Sequence, residues 1–245
     1  MKKIKKFLLT MAMTMALGTS AFAASGFEFL FQLAGGAGAV IPNKEAKDLG
    51  FGTGLSFDAD ISAQIGYMFQ VKEGFGISVL GELGYAWDFY LTGIDGGTLS
   101  SNTTGGVTTY TVEGKDGLSL SQYYHSFKLG LLPKFNIGFG GRHGLAVGIG
   151  GGVKIPIAGQ ITLPGDNESL KATRQDIAEF LSPSVIGYIK ASIDYYLFFT
   201  DNIAMEFGLY LGGDFGPKMA ATAGGFGGNA FDFGLQLGFR FGPKA

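Results

Sequence analysis

The sequence predicts an all-β fold: an eight-stranded antiparallel up-and-down transmembrane β-barrel with short periplasmic turns and long extracellular loops. Three observations carry this expectation. Apolar residues recur at every second position through eight long segments, the period of a strand with two unlike faces. Short turns and long polar loops alternate between those segments. Mean hydropathy is positive at +0.25, yet beyond an export leader no apolar run approaches the roughly 20 residues of a spanning helix.

The leader comes first. Lys2, Lys3, Lys5 and Lys6 form its positive end, Phe7 to Gly18 its apolar stretch, and Ala21-Phe22-Ala23 a small-x-small cleavage pattern. Residues 1–23 are therefore expected to be a signal peptide and 24–245 the barrel. Losing those four lysines from 18 basic residues leaves 14 against 20 acidic ones, a net charge of −6. Nucleic acid is not an expected partner of so acidic a chain. With no cysteine, disulfides and thiolate metal sites are excluded.

The first strand spans Gly26–Ile41, with Phe27, Phe29, Phe31 and Leu33 opposite Glu28 and Gln32. The second, from Leu55 to Phe69, sets Leu55, Phe57, Ile61 and Ile65 against Asp58, Asp60 and Gln64. After the turn Val71–Gly74 the third runs from Phe75 to Leu91. The fourth (Ser121–Phe139) and fifth (Leu145–Ile157) oppose Phe127, Leu129, Val147 and Ile149 to Lys128, Lys134 and Lys154. Pro133 falls on the outward face of the fourth strand, where a closed barrel needs its N–H, so a β-bulge is expected there. The sixth (Val185–Phe199), seventh (Ile203–Phe215) and eighth (Ala230–Phe241) repeat the pattern around Lys190, Asp194, Glu206, Asp214, Asp232 and Arg240. An even number of strands closes the sheet and removes its edges. The long loops are Pro42–Gly54, Thr92–Leu120, Ala158–Ser184 and Gly216–Asn229. In the third of these, Glu168–Leu181 fits a short helix with Leu170, Ile177, Phe180 and Leu181 on one face.

Outward aromatics fall at two heights. Phe27, Phe69, Phe75, Phe139, Phe199 and Phe241 sit at the turn end. Phe57, Trp87, Phe89, Tyr123, Phe215, Phe231 and Phe233 sit towards the loop end. Two such girdles flanking an apolar belt about 25 Å tall match the two interfaces of a membrane. Outer-membrane lipid is the expected surrounding, and the cell outer membrane the expected location.

At this point the chain resembles the small eight-stranded bacterial outer-membrane barrels, the group of the OmpA-type membrane domain, OmpX and OmpW. The likeness covers the whole mature chain and rests on architecture. Phe239-Arg240-Phe241 looks like the terminal aromatic signal read during insertion, although Gly242-Pro243-Lys244-Ala245 follow it. The resemblance implies periplasmic chaperones and the barrel-insertion machinery as partners in biogenesis. No C-terminal periplasmic domain of the kind that grips peptidoglycan is expected.

The inward row holds the candidate functional residues: Glu28, Asp58, Asp60, Glu82, Asp88, Lys128, Lys134, Lys154, Lys190, Asp194, Asp214, Glu206, Asp232 and Arg240. An eight-stranded barrel is just wide enough for side chains to fill, so these charges must pair. Glu82 is expected near Lys128, with Lys154 beside it. Inward Gly148, Gly150 and Gly152 leave space on the alternative reading of a polar conduit. Asp58, Asp60 and Asp88 lack the glycine and distal glutamate of a calcium loop and are expected to meet lysines rather than a metal. Tyr90, Tyr124, Tyr188 and Tyr210, with Ile186 and Leu80, fill the taper or form an apolar vestibule; an OmpW-like resemblance implies a small hydrophobic ligand there. His125 and Ser126 point to opposite faces as strand neighbours, and His143 falls in a turn, so no nucleophile–base pair is expected. No enzyme activity, cofactor or metal is expected. Three roles stay open: a structural or surface-exposed barrel with a plugged lumen, a narrow channel or carrier for small hydrophobic molecules, and an adhesin binding a host surface molecule through the Ser/Thr/Gly-rich loop Thr92–Leu120.

Overall fold

A computed structural model describes residues 25–94, 98–104, 107–113, 118–162, 169–221 and 224–245; the expected signal peptide lies outside them. The strands are β1 (Gly26–Pro42), β2 (Gly54–Lys72), β3 (Phe75–Ile94), β4 (Thr98–Thr104), β5 (Val107–Glu113), β6 (Leu118–Leu131), β7 (Lys134–Phe139), β8 (His143–Thr162), β9 (Ser169–Thr173), β10 (Ile186–Phe198), β11 (Ile203–Lys218) and β12 (Gly227–Phe241). Two short helices, α1 (Lys44–Asp48) and α2 (Arg174–Phe180), lie in the long loops.

Eight wall positions form a closed antiparallel ring in the order β1, β2, β3, β6 with β7, β8, β10, β11, β12. The ring shuts where β1 meets β12, from Phe29 opposite Phe241 to Pro42 opposite Gly228. Closure satisfies every wall strand on both sides, the only way a sheet can lie in lipid. Short turns sit at one end and long loops at the other, as the alternation predicts. β4 and β5 form a separate two-stranded sheet within the second long loop, and β9 pairs with the upper half of β8.

No bulge forms at Pro133. Leu131 faces Gly151 and Lys134 faces Gly148, while Gly81 faces Leu131 and Ser78 faces Lys134, so the register runs through unchanged on both sides. The ladder simply skips a bond: Ile149 N–H still donates to the Pro133 carbonyl at 3.2 Å, and the return bond that a proline cannot make is missing. The irregularity lies instead between His125 and Ser126, which face Ala158 and Pro156 and leave Ile157 unpaired.

The inward glycines do not leave space. A Cβ on Gly150 would meet the Leu131 carbonyl and one on Gly152 the Leu129 carbonyl, while one on Gly148 would come within 2.9 Å of Ser192 Oγ and 3.1 Å of Lys134 Cγ. These glycines let side chains and neighbouring strands pack closely. Gly150→Ala should therefore lower stability by about 1–3 kcal/mol through overpacking, measured by urea unfolding in detergent micelles.

Outside, the wall is apolar. Ile149, Leu211 and Leu235 expose 64%, 66% and 67% of their surface, and Phe27, Phe69, Phe139 and Phe233 are likewise exposed near the strand ends. A contiguous apolar surface of this extent is stable only against lipid. The molecule is a transmembrane β-barrel of the outer-membrane type.

Candidate functional site

The inward parity of the strands delivers a stack of polar layers to the lumen. Nearest the turns, Arg240 Nε lies 2.7 Å from Glu28 Oε1. Ser78 hydroxyl donates to Glu28, Asn136 Nδ2 donates to Ser78 at 2.8 Å, and Arg240 Nη1 donates to Asn136 at 3.2 Å. The guanidinium stacks over the Tyr196 ring at 4.6 Å. One layer up, Lys134 bridges Asp194 at 2.9 Å and Glu206 at 3.4 Å. Gln32 donates to Glu206, Gln64 to Gln32, and Gln236 to Asp194.

Above these, Lys128 bridges Asp60 at 2.9 Å and Glu82 at 3.4 Å, and the Tyr188 hydroxyl donates to Glu82. Lys128 and Lys154 are register partners. Lys154 nevertheless reaches the top layer, meeting Asp88 at 2.7 Å and Asp214 at 2.8 Å. Tyr90 hydroxyl also donates to Asp214 at 2.7 Å, and Tyr210 hydroxyl donates to Asp58. Three of the five lumenal cations thus bridge carboxylates from different strands, and a fourth, Arg240, pairs with Glu28. A buried ion is tolerated only when paired and hydrogen-bonded.

Two expected partners stand apart from this pairing. Lys190 is buried without an ion pair among the described residues; its ammonium lies 4.9 Å over the Tyr210 ring. Asp232 makes no ion pair among the described residues either. It faces Gly212 on β11, which offers no donor side chain. The free space bounded by Asp58, Lys128, Lys190, Tyr210 and Asp232 is about 20 Å³, room for a water and little more.

The mouth is covered, and the opposite opening is crossed in part. Across the mouth, Phe51, Ala46 of α1, Ile177 and Leu181 from the third long loop, and Met219 and Phe226 from the fourth pack on Val40, Tyr90, Leu120, Tyr124 and Ile186. Phe51 and Phe226 stack with centroids 6.1 Å apart. The loops are tied together: Leu181 bridges Met219, Ser182 N–H donates to Lys218 at 3.0 Å, and Ala220 N–H donates to Phe180 at 2.7 Å. Residues 242–245 cross the opposite opening. Gly242 N–H donates to Asn202 at 2.9 Å, Arg240 holds the Pro243 carbonyl at 3.1 Å, Lys244 pairs with Asp201 at 3.0 Å, and Ala245 reaches Gly138 on the far wall. An open bowl of about 440 Å³ remains beneath Tyr196 and Phe198.

The tyrosines do not line a common apolar vestibule. Tyr124 and Ile186 join the mouth plug, Tyr90 links the plug to Asp214, and Tyr188 and Tyr210 bind carboxylates lower down. Leu80 belongs to a different cluster, near the turns, with Leu30, Tyr196 and Phe198, because β3 rises from that end. The expected helix is shorter than Glu168–Leu181 and begins at Arg174; Glu168 itself lies outside the described residues. Ile177 and Leu181 are buried, but Leu170 and Phe180 are exposed, since Leu170 belongs to β9 and Phe180 lies on the outer side of α2.

A capping box starts α2: Asp176 accepts from the Thr173 N–H and hydroxyl. Those bonds hold its carboxyl below the ordinary value of 3.8. A depressed carboxyl stabilises the folded form above that ordinary value and loses this contribution as pH falls through the lowered one. Amide exchange over Arg174–Phe180 should therefore accelerate below about pH 4, and Thr173→Ala should remove this acid-dependent step.

His125 and His143 both face outwards, bonded to Tyr85 and Tyr195, whereas Ser126 is buried in the lumen. Among the described residues no cluster of three or more His, Asp or Glu has metal-site geometry. The lumenal amides Gln32, Gln64 and Gln236 share the inward parity of the charges and are legible as polar lining. The plug residues Phe51, Met219 and Phe226 carry no periodic signal.

No protein-family model matches the chain, and no curated protein matches it. Among solved structures it is similar to the outer membrane protease OmpT of Escherichia coli, at 9% identity and TM-score 0.43, covering 91% of this chain and 99% of that one. Neisserial surface protein A is 11% identical, TM-score 0.38, covering 89% and 99%. The attachment invasion locus protein Ail of Yersinia pestis is 9% identical, TM-score 0.31, covering 90% and 100%.

Proposed function

We propose that the protein is a closed outer-membrane barrel with a structural and surface-exposed role, its lumen filled by charge pairs rather than kept as a conduit. One observation carries this reading: the ion-paired layers leave only about 20 Å³ free at the level of Lys190, under a mouth shut by apolar loop residues. A solute of even a few heavy atoms would have to break buried pairs whose separation costs several kcal/mol. The barrel then serves as a rigid post that presents its loops outside the cell. The separate β4–β5 hairpin is the feature that favours a surface role, since it stands off the barrel ring and contributes no wall strand.

Proteoliposome swelling tests the reading. Vesicles containing the full chain should swell in arabinose or glycine no faster than protein-free vesicles. Swelling at a porin-like rate would overturn it in favour of a narrow channel. A carrier for small hydrophobic molecules would instead show uptake that Tyr90→Ala and Tyr188→Ala impair. Removing residues 98–113 should leave folding and heat-modifiable gel mobility intact, because no wall strand lies in that segment.

A further inference from the structure

The outer wall carries a polar break at the top of its apolar belt, where β3, β6, β8 and β9 run side by side. Trp87 faces His125, which faces Ala158, which faces Thr173. One row higher, Phe89 faces Tyr123, which faces Gln160, which faces Lys171. Directly opposed residues share a face, so His125, Tyr123, Gln160 and Lys171 lie on the lipid side with Trp87. The Tyr85 hydroxyl shares a hydrogen bond with His125 Nδ1, which fixes the ring. Tyr123 stands edge-on to His125 at 5.0 Å and to Trp87 at 5.5 Å.

Height decides what meets this patch. A tilted strand climbs about 2.5 Å per residue along the membrane normal, so a belt about 25 Å tall spans about ten residues. Counted from Phe139, that belt ends near Leu129. His125 and Tyr123 are two and three pleats above it, at headgroup depth. The wall strands here carry no outward acid: Asp60, Glu82 and Asp88 are lumenal, and the Asp176 carboxylate at the edge is taken up by Thr173.

We infer that this face binds the phosphate-bearing headgroup of an anionic outer-leaflet lipid. Lys171 and His125 meet the phosphate, Gln160 donates beside them, and Trp87 and Tyr123 pack on the glycerol or sugar below. The inference rests on the membrane orientation of the barrel and goes beyond its proposed role, since a closed barrel needs no selective lipid.

Trp87 is the single tryptophan of the chain and reports the site directly. The full chain is reconstituted in phosphatidylcholine vesicles, and quenching of Trp87 is compared for brominated phosphatidylglycerol and brominated phosphatidylcholine at equal mole fraction. The anionic lipid should be preferred about fivefold, the effect of roughly one cation near a charged headgroup. The preference should fall to parity in Lys171→Gln/His125→Gln and shrink in high salt. Equal quenching by the two lipids in the unaltered chain would overturn the inference, as would a preference that survives the double substitution. Inorganic phosphate that shifts Trp87 emission while neither lipid is preferred would also overturn it, assigning the patch to free phosphate.

Discussion

Lys154→Met should lower the unfolding free energy by about 3–5 kcal/mol, the cost of leaving buried carboxylates without their counter-ion. Lys154 is the one ammonium that meets both Asp88 and Asp214, and Asp58 lies directly across the β2–β3 pair from Asp88. Removing it concentrates uncompensated negative charge in a space without room for a hydration shell. Neutralising the acids as well, in Lys154→Met/Asp88→Asn/Asp214→Asn, should recover most of the loss, because the penalty belongs to the unpaired charge and not to the absent pair. The exposed Lys44–Asp48 pair on α1 is the control: Lys44→Met should change stability by less than about 1 kcal/mol. Urea unfolding in lipid vesicles measures all three.

Ile149→Arg should cost about 2–4 kcal/mol, the measure of an arginine at the lipid midplane of a barrel. Ile149 is 64% exposed, faces Ala191 on β10, and lies beside the skipped bond at Pro133. In a water-soluble barrel the same substitution at so exposed a position would change stability by less than about 0.5 kcal/mol. Leu170 is nearly as exposed, at 59%, but stands on β9 above the mouth; Leu170→Arg should be nearly neutral. The contrast between two similarly exposed aliphatic positions separates lipid from water as their surroundings.

The eight wall strands were legible because each carries a greasy and a polar row, and a period of two survives without any family comparison. The upper end of β8 was not. The unpaired Ile157 turns the following residues over, so that Ile161 packs on the plug, and an alternation followed from Val147 ends there. Pro133 is the opposite case: it lacks one donor but sits outward in correct parity, so the chain needs no extra residue. The β4–β5 hairpin is not legible because Ser and Thr recur at odd and even positions of its sequence alike and leave no hydropathy contrast. The charged lining followed from parity alone. Which lysine meets which acid did not, since partners such as Lys134 and Glu206 come from walls far apart in sequence. The plug was least legible, because Phe51 and Phe226 are single apolar residues in polar loops that find each other only once the barrel has closed.

Planar-bilayer conductance tests the closed lumen most directly. The unaltered protein, inserted in either orientation, should hold the current at the baseline of the bare membrane across the accessible voltage range. Discrete, long-lived steps of conductance from the unaltered protein, with open times that scale with the number of inserted barrels, would contradict it.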